Sequence, residues 1–267
     1  MRDDSFKVSA GTKAIVPALA FVIGLPLAWL AIQSFAAGWL FPALIPPVFN
    51  LRAWRYLFDS SSGISNALIN SLLIALTVTL LAIIFALPTA RAIALHHFTG
   101  KKLLLFVLLL PILSPSIAAA IGTHALFLRY NLTDSYAGVI LAHLIPTVPY
   151  CVLTLTGGFS RFDVEFEAQA KTLGASGWQV WRFVTLPAIA PSLLLSAVFA
   201  FLISWSQYLT TLLVGGGRIV TLPLVLVNFQ RGGDEAVTAA LTLIFLAPTI
   251  VFLAITATDW RGDLNRR

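Results

Sequence analysis

FDVEFEAQAKTLGASGWQVWRFVTLPAIAPS, residues 162–192, is the amphipathic interruption in a chain otherwise dominated by charge-free runs. Those runs lie between Lys13 and Arg52, Asp59 and Arg91, Lys102 and Arg129, Asp134 and Arg161, Arg182 and Arg218, and Glu235 and Asp259. A helix needs roughly 20 apolar residues to cross about 30 Å of hydrocarbon, and each run is long enough. The quoted segment therefore joins a fourth membrane helix to a fifth.

Composition supports this. The 267 residues are 58% hydrophobic and 10% charged, with mean hydropathy +0.91. Soluble domains run near 25% charged. Hydrocarbon offers no partner for backbone N–H and C=O groups, so helices satisfy them internally. Alternating segments of about ten residues, the mark of an outer-membrane barrel, are absent. The expectation is an all-α membrane protein of about six transmembrane helices.

The net charge of +6 is a topology signal, not a nucleic-acid footprint. Counted over alternate loops, 12 Lys and Arg residues fall on the side of the termini and segment 162–192, against 5 on the other. Both termini and that segment are thus expected in the cytoplasm. Cys151 is the only cysteine, which excludes an intrachain disulfide and a thiolate metal cluster; no metal site is expected.

Along the chain, residues 1–13 read as a polar cytoplasmic tail, 14–258 as one transmembrane domain and 259–267 as a second cytoplasmic tail. The helices are expected near Ala14–Phe35 (a retained first helix, not a signal peptide), Ala67–Ala94, Leu103–Leu128, Val139–Gly157, Ala188–Thr210 and Ala236–Thr258. Pro111 and Pro115 predict a kink in the third, and Pro146 and Pro149 one in the fourth. NLRAWRYLFD, residues 50–59, reads as a short interfacial helix after a stretch holding Pro42, Pro46 and Pro47. Ile219–Gln230 is too short to span and reads as a re-entrant or interfacial piece.

Within the quoted segment, Phe162, Phe166, Ala170 and Leu173 recur at helical spacing and share one face. Asp163, Glu167 and Lys171 fall on the other side, with Glu167 and Lys171 spaced for an i,i+4 pair. Gly174 is placed to end this helix. Ser176 with Gln179 makes a capping box that opens a second helix, which Pro187 is expected to stop. The result is a helix–turn–helix elbow.

The run EAQAKTLG, residues 167–174, followed by WQVWRFVTLP to Pro187, resembles the EAA loop of binding-protein-dependent ABC importer permeases. The turn glycine Gly174 and the Leu186–Pro187 pair ending 13 residues later match the family's pattern. Glu167 stands one residue earlier than the family's glutamate, about 100° of helix rotation away. The resemblance covers the chain in outline and implies a type I importer permease fold in a bacterial inner membrane. It further implies a cytoplasmic ATPase dimer coupled through Phe162, Phe166, Glu167, Ala170, Lys171, Gly174, Leu186 and Pro187. A second permease, identical or paralogous, and a solute-binding protein outside the membrane complete the implied assembly. The chain has no phosphate loop, so ATP and magnesium would belong to the ATPase and this chain would bind no cofactor.

Polar residues within spans are costly in lipid and mark candidate translocation positions: Asn70, His124, Ser204, Ser206 and Gln207. SWSQYLTTLLVGGGR, residues 204–218, resembles the pore-side stretch of permeases for polyamines, iron, thiamine and related solutes. It lacks the acids that some polyamine permeases carry there, which disfavours a polycationic solute. Two rival readings are weaker. An ion-coupled secondary transporter would carry ionisable residues at midplane. An intramembrane serine protease built on Gly174-Ala-Ser176-Gly177 would need a histidine on a later helix, and every histidine precedes Ser176.

Overall fold

The computed structural model describes residues 10–39 and 46–264, with side chains described for 21–22, 24–39 and 46–253. Residues 1–9 of the expected tail, Pro42 in the proline-rich stretch and residues 265–267 lie outside the described residues. The chain divides into two compact units.

The first unit takes the described residues of 1–65 together with 226–251. Helix α1 runs Ala10–Phe35 and leads into a two-residue strand β1, Ala36–Ala37, paired antiparallel with β2, Val48–Phe49. The short helix expected over 50–59 is present as α2, Arg52–Phe58, where Trp54 Nε1 donates to Ser34 Oγ at 3.2 Å. Arg52 grips Asp234 with both terminal nitrogens at 3.0 and 2.8 Å, and Gln33 Nε2 donates to Glu235 Oε2 at 2.7 Å.

The second unit, residues 66–225 with 252–267, carries the bundle. Helix α3, Ile64–Leu95, buries Ala75, Val78, Ala82, Ala86, Ala90 and Ile93. Small residues on one stripe let backbones approach closely where lipid supplies no hydrophobic drive. Helix α6, Tyr136–Phe159, sits at the core with Val139, Ala142, Cys151, Val152, Leu155 and Phe159 buried. Its Ser135 side chain caps the first turn by accepting from Gly138 N–H at 3.1 Å.

Three expectations change. The third helix is not one kinked rod but a pair, α4 (Lys101–Leu113) and α5 (Ser116–Arg129), bent by 106°. Proline disfavours the helical region for the residue before it. Ser114 is accordingly extended, at φ −77° and ψ 139°, directly before Pro115. Pro187 does not end the second elbow helix either. Helix α8, Gly177–Val180, passes through a π-turn, Trp181–Thr185, into α9, Leu186–Trp205. The wider turn bonds Leu186 N–H to the Trp181 carbonyl, five residues back, so the missing N–H of Pro187 falls where the helix changes register. The fifth helix does not run on to Thr210: it breaks at Ser206–Tyr208 and resumes as α10, Leu209–Val214.

After α10 comes α11, Leu222–Gly232, whose 11 residues are too short to span. Helix α12, Glu235–Leu264, closes the described chain. Among the described residues, four helical stretches are long and apolar enough to cross a membrane, and the bent α4–α5 pair is a fifth if counted as one span.

Helix α9 packs on α6 at Gly158, where a Cβ would stand 2.6 Å from Ser192 Cβ. Gly158→Val should therefore lower stability by roughly 1–3 kcal/mol through overpacking, read as a lower melting temperature in detergent. Pairing Gly158→Ala with Ser192→Gly should recover most of the loss; an unchanged melt for Gly158→Val would contradict the close approach.

Candidate functional site

The elbow is built by local rules. Helix α7, Glu165–Thr172, ends with Gly174 at φ +85°. Gly174 N–H bonds the Lys171 carbonyl at 3.0 Å and Ala175 N–H the Ala170 carbonyl at 3.1 Å. These two bonds satisfy carbonyls that the last turn would leave open, and the left-handed residue between them favours glycine. The expected capping box then starts α8. Ser176 N–H donates to Gln179 Oε1 at 2.7 Å, and Gln179 N–H to Ser176 Oγ at 3.4 Å. Ser176 Oγ thus serves as a helix cap, not as a nucleophile.

Glu167 departs from the sequence expectation. It is not on the solvent face paired with Lys171 but 5% exposed, turned into the bundle. Arg91, near the end of α3, donates to both its oxygens at 2.8 and 2.7 Å. Thr185, in the π-turn, donates its hydroxyl to Oε1 at 2.6 Å. A buried carboxylate is tolerated only when paired and hydrogen-bonded, and this one is both. Hydrogen bonds from Arg91 hold its carboxyl below the usual carboxylate range; burial opposes them, and Thr185 adds to them. One side chain therefore ties α7 to α3 and to the head of α9.

With Glu167 turned inward, the opposite face of α7 looks out. Phe166 is 55% exposed and Leu173 88%. With Phe162, Gln169, Ala170, Phe183, Val184 and Ala188 they line an open, mostly apolar groove of about 410 Å³. The predicted stripe Phe162, Phe166, Ala170 and Leu173 is thus gathered on one surface. Phe183, 70% exposed, joins it from the π-turn. Lys171 is exposed on α7, while Leu186 and Pro187 open α9.

The five candidate path residues separate. Ser204 is buried and bonded to His143 Nδ1 at 2.9 Å, while His143 Nε2 meets Thr211 Oγ1 at 2.9 Å. Thr211 gives its only hydroxyl proton to the Gln207 carbonyl at 2.8 Å, so Nε2 must donate to Thr211 and Nδ1 accept from Ser204. This network joins α6, α9 and α10, commits the Ser204 proton to His143, and leaves Ser204 buried. Asn70 is likewise committed, donating to the Val220 carbonyl at 2.9 Å and accepting from Tyr136 at 2.9 Å. Among the described residues, His124 Nδ1 is buried without a partner. Ser206 and Gln207 stand in the α9–α10 break.

That break faces the one between α4 and α5. Between them lies a pocket of about 190 Å³ whose polar lining is Ser114, Ser116, Thr123, Tyr150, Gln207 and Thr210. It holds no charged side chain. Of the predicted path residues only Gln207 lines it. The proline-set break at Pro115, more than intramembrane polarity, was the sequence signal for Ser114 and Ser116.

An elbow of this build between membrane helices, beside a pocket at paired helix breaks, is the anatomy of a membrane permease. The comparisons place it in a family. Residues 79–259 match the family described as "Binding-protein-dependent transport system inner membrane component", and the chain belongs to it. The ion-coupled alternative falls with that membership. The trehalose transport system permease protein SugB of Mycobacterium tuberculosis (strain CDC 1551 / Oshkosh) is 29% identical over 85% of this chain and 91% of its own length. The molybdate/tungstate permease WtpB of Thermococcus kodakarensis is 30% identical over 64% of this chain and 68% of its own. The fold matches a crystal structure of a bacterial ABC transporter for the acidic polysaccharide alginate, with TM-score 0.71 and 16% identity over 97% of this chain and 98% of that one. The protein is an ABC importer permease of the inner membrane.

Glu167→Gln removes the charge that Arg91 and Thr185 hold, at a cost of roughly 1.5–3 kcal/mol. Amide exchange of α7 should speed up while that of α6 stays unchanged; equal protection of α7 in both proteins would contradict the tie. The depressed carboxyl also sets a direction with pH. Its contribution is complete above the ordinary glutamate value of about 4.3 and is lost only as pH falls through the lower folded value. Protection of α7 should therefore hold from neutral pH to about 5 and fail well below 4.

Proposed function

We propose that this chain is one of two permeases facing each other, identical or paralogous, and that its elbow seats in a cleft on a cytoplasmic ATPase. The observation that carries this is the exposed apolar face of α7 and the π-turn, held outward by the buried Glu167. An apolar surface of this kind, with Arg182 against the Phe183 ring, reads as a protein docking site. ATP and magnesium belong to the ATPase; this chain contributes the lever. Closure of the two ATPases drives the elbow, and the tie to Arg91 and Thr185 passes that motion to α3 and α9. The 12-to-5 charge bias in the sequence is the basis for assigning both termini to the elbow's side of the membrane.

The solute, handed over by a soluble binding protein, passes the pocket between the two helix breaks. Hydroxyls, one amide and the Tyr150 ring, without a charge, favour an uncharged hydroxyl-bearing solute over a polycation or an oxyanion. Trehalose, named for SugB, has this chemistry; molybdate, named for WtpB, does not, so membership alone sets no solute.

Phe166→Asp places a charge in the docking face without touching the core. Co-purified ATPase should fall at least about 10-fold, the effect of losing roughly 1.4 kcal/mol, and ATP-driven uptake should fall with it. Gly174→Val, strained at positive φ, should leave ATP hydrolysis in membranes while uptake drops. Full uptake in both variants would remove the elbow from the mechanism.

A further inference from the structure

The turn HHFTGKK, residues 96–102, joins α3 to α4 and belongs to neither the elbow groove nor the pocket. Gly100 takes φ +91° there, and Lys101 and Lys102 open α4 directly after it. With His97, Phe98, Leu103 and Leu105 they wall an open groove of about 610 Å³ whose lining is mostly apolar. Past the lysines α4 shows Leu103, Phe106, Val107 and Leu110, all exposed and recurring at helical spacing. The surface is thus cationic at one end and apolar along its length.

Among the described residues the two cations have no protein counter-charge. No Asp or Glu occurs between Asp59 and Asp134. Neither lysine forms an ion pair among the described residues; Lys101 bonds only the turn itself there, through its N–H to the Phe98 carbonyl at 3.5 Å and its Nζ to the His96 carbonyl at 3.4 Å. Arg91, four residues before the end of α3, is committed to Glu167, which also fixes this turn at the elbow's end of the second unit.

We infer that the groove binds an anionic phospholipid of the cytoplasmic leaflet, with its phosphate at Lys101 and Lys102 and an acyl chain along the exposed face of α4. The inference rests on the reading that the elbow faces the cytoplasm. A soluble anion has no use for the apolar groove, and an apolar peptide has none for two unpaired lysines. A zwitterionic headgroup carries an ammonium that the lysines repel. Each lysine near an anionic surface contributes about 1 kcal/mol, so two give a preference on the order of 10–30-fold for an anionic headgroup.

The test is native mass spectrometry of the purified transporter complex, titrated with phosphatidylglycerol and phosphatidylcholine of the same acyl chains. Wild type should retain phosphatidylglycerol about 10–30-fold better. Lys101→Gln with Lys102→Gln should abolish the preference, and Lys101→Arg with Lys102→Arg should keep it. Equal retention of the two lipids by wild type, or a preference that survives the glutamine pair, would overturn the site. The wild-type comparison stands even if the glutamine pair fails to fold. Displacement of the lipid by soluble glycerol 3-phosphate would overturn the acyl-chain part. Sidedness fails separately: modification of Lys101→Cys by an impermeant maleimide added outside intact cells would sink the topology and leave the lipid result in place.

Discussion

A buried carboxylate is the constraint on which the elbow depends. An ionised Glu167 cannot be withdrawn from water unpaired, so α7 must rotate until Arg91 and Thr185 reach it. Eight residues are too few for a helix to be stable alone. The Gly174 turn, the Ser176–Gln179 box and the Glu167 tie supply what length does not. Satisfying the acid inside is also what places Phe166 and Leu173 outside. Polar economy in the bundle and apolar exposure at the surface are two consequences of one rotation.

In the proposed coupling, the same tie makes the loop a lever. Thr185 belongs to the π-turn through which α8 runs without interruption into α9, a continuous helical stretch from Gly177 to Trp205. A flexible linker there would dissipate motion arriving at the elbow; a helix carries it. The far end of α9 stops at Ser206, where the chain breaks beside the pocket. In the proposed coupling, motion received at the elbow would be delivered at this helix break, opposite the second break, between α4 and α5 at Pro115. Breaks leave backbone groups and small hydroxyls facing a cavity, the circumstance in which irregular backbone is tolerated at membrane depth.

Much of this was legible in the sequence because it obeys local rules. Charge-free runs located the long helices, and Gly174 and the Ser176–Gln179 box marked the turn correctly, since each depends on neighbours within a few residues. What was not legible depends on partners far away. Arg91 and Glu167 are 76 residues apart, and the i,i+4 rule offered Lys171 as the partner because it was the only cation in view. A buried site outbid a solvent-exposed pair worth a few tenths of a kcal/mol. The prolines misled in opposite directions. Pro115 read as a kink became a break of 106°, and Pro187 read as a stop was absorbed by a π-turn. Ser204 read as a path residue because its polarity was visible, whereas His143 and Thr211, which consume that polarity, lie on other helices.

The central claim is that Glu167 acts through Arg91 as an internal tie. The most direct measurement is a double-mutant cycle on ATP-driven uptake, with Arg91→Ala, Glu167→Ala and the two combined at matched levels in the membrane. If the residues act as one unit, the double variant should lose little more than either single one, with a coupling energy on the order of 1–3 kcal/mol. Additive losses would mean that Glu167 serves the elbow without Arg91, and would contradict the account.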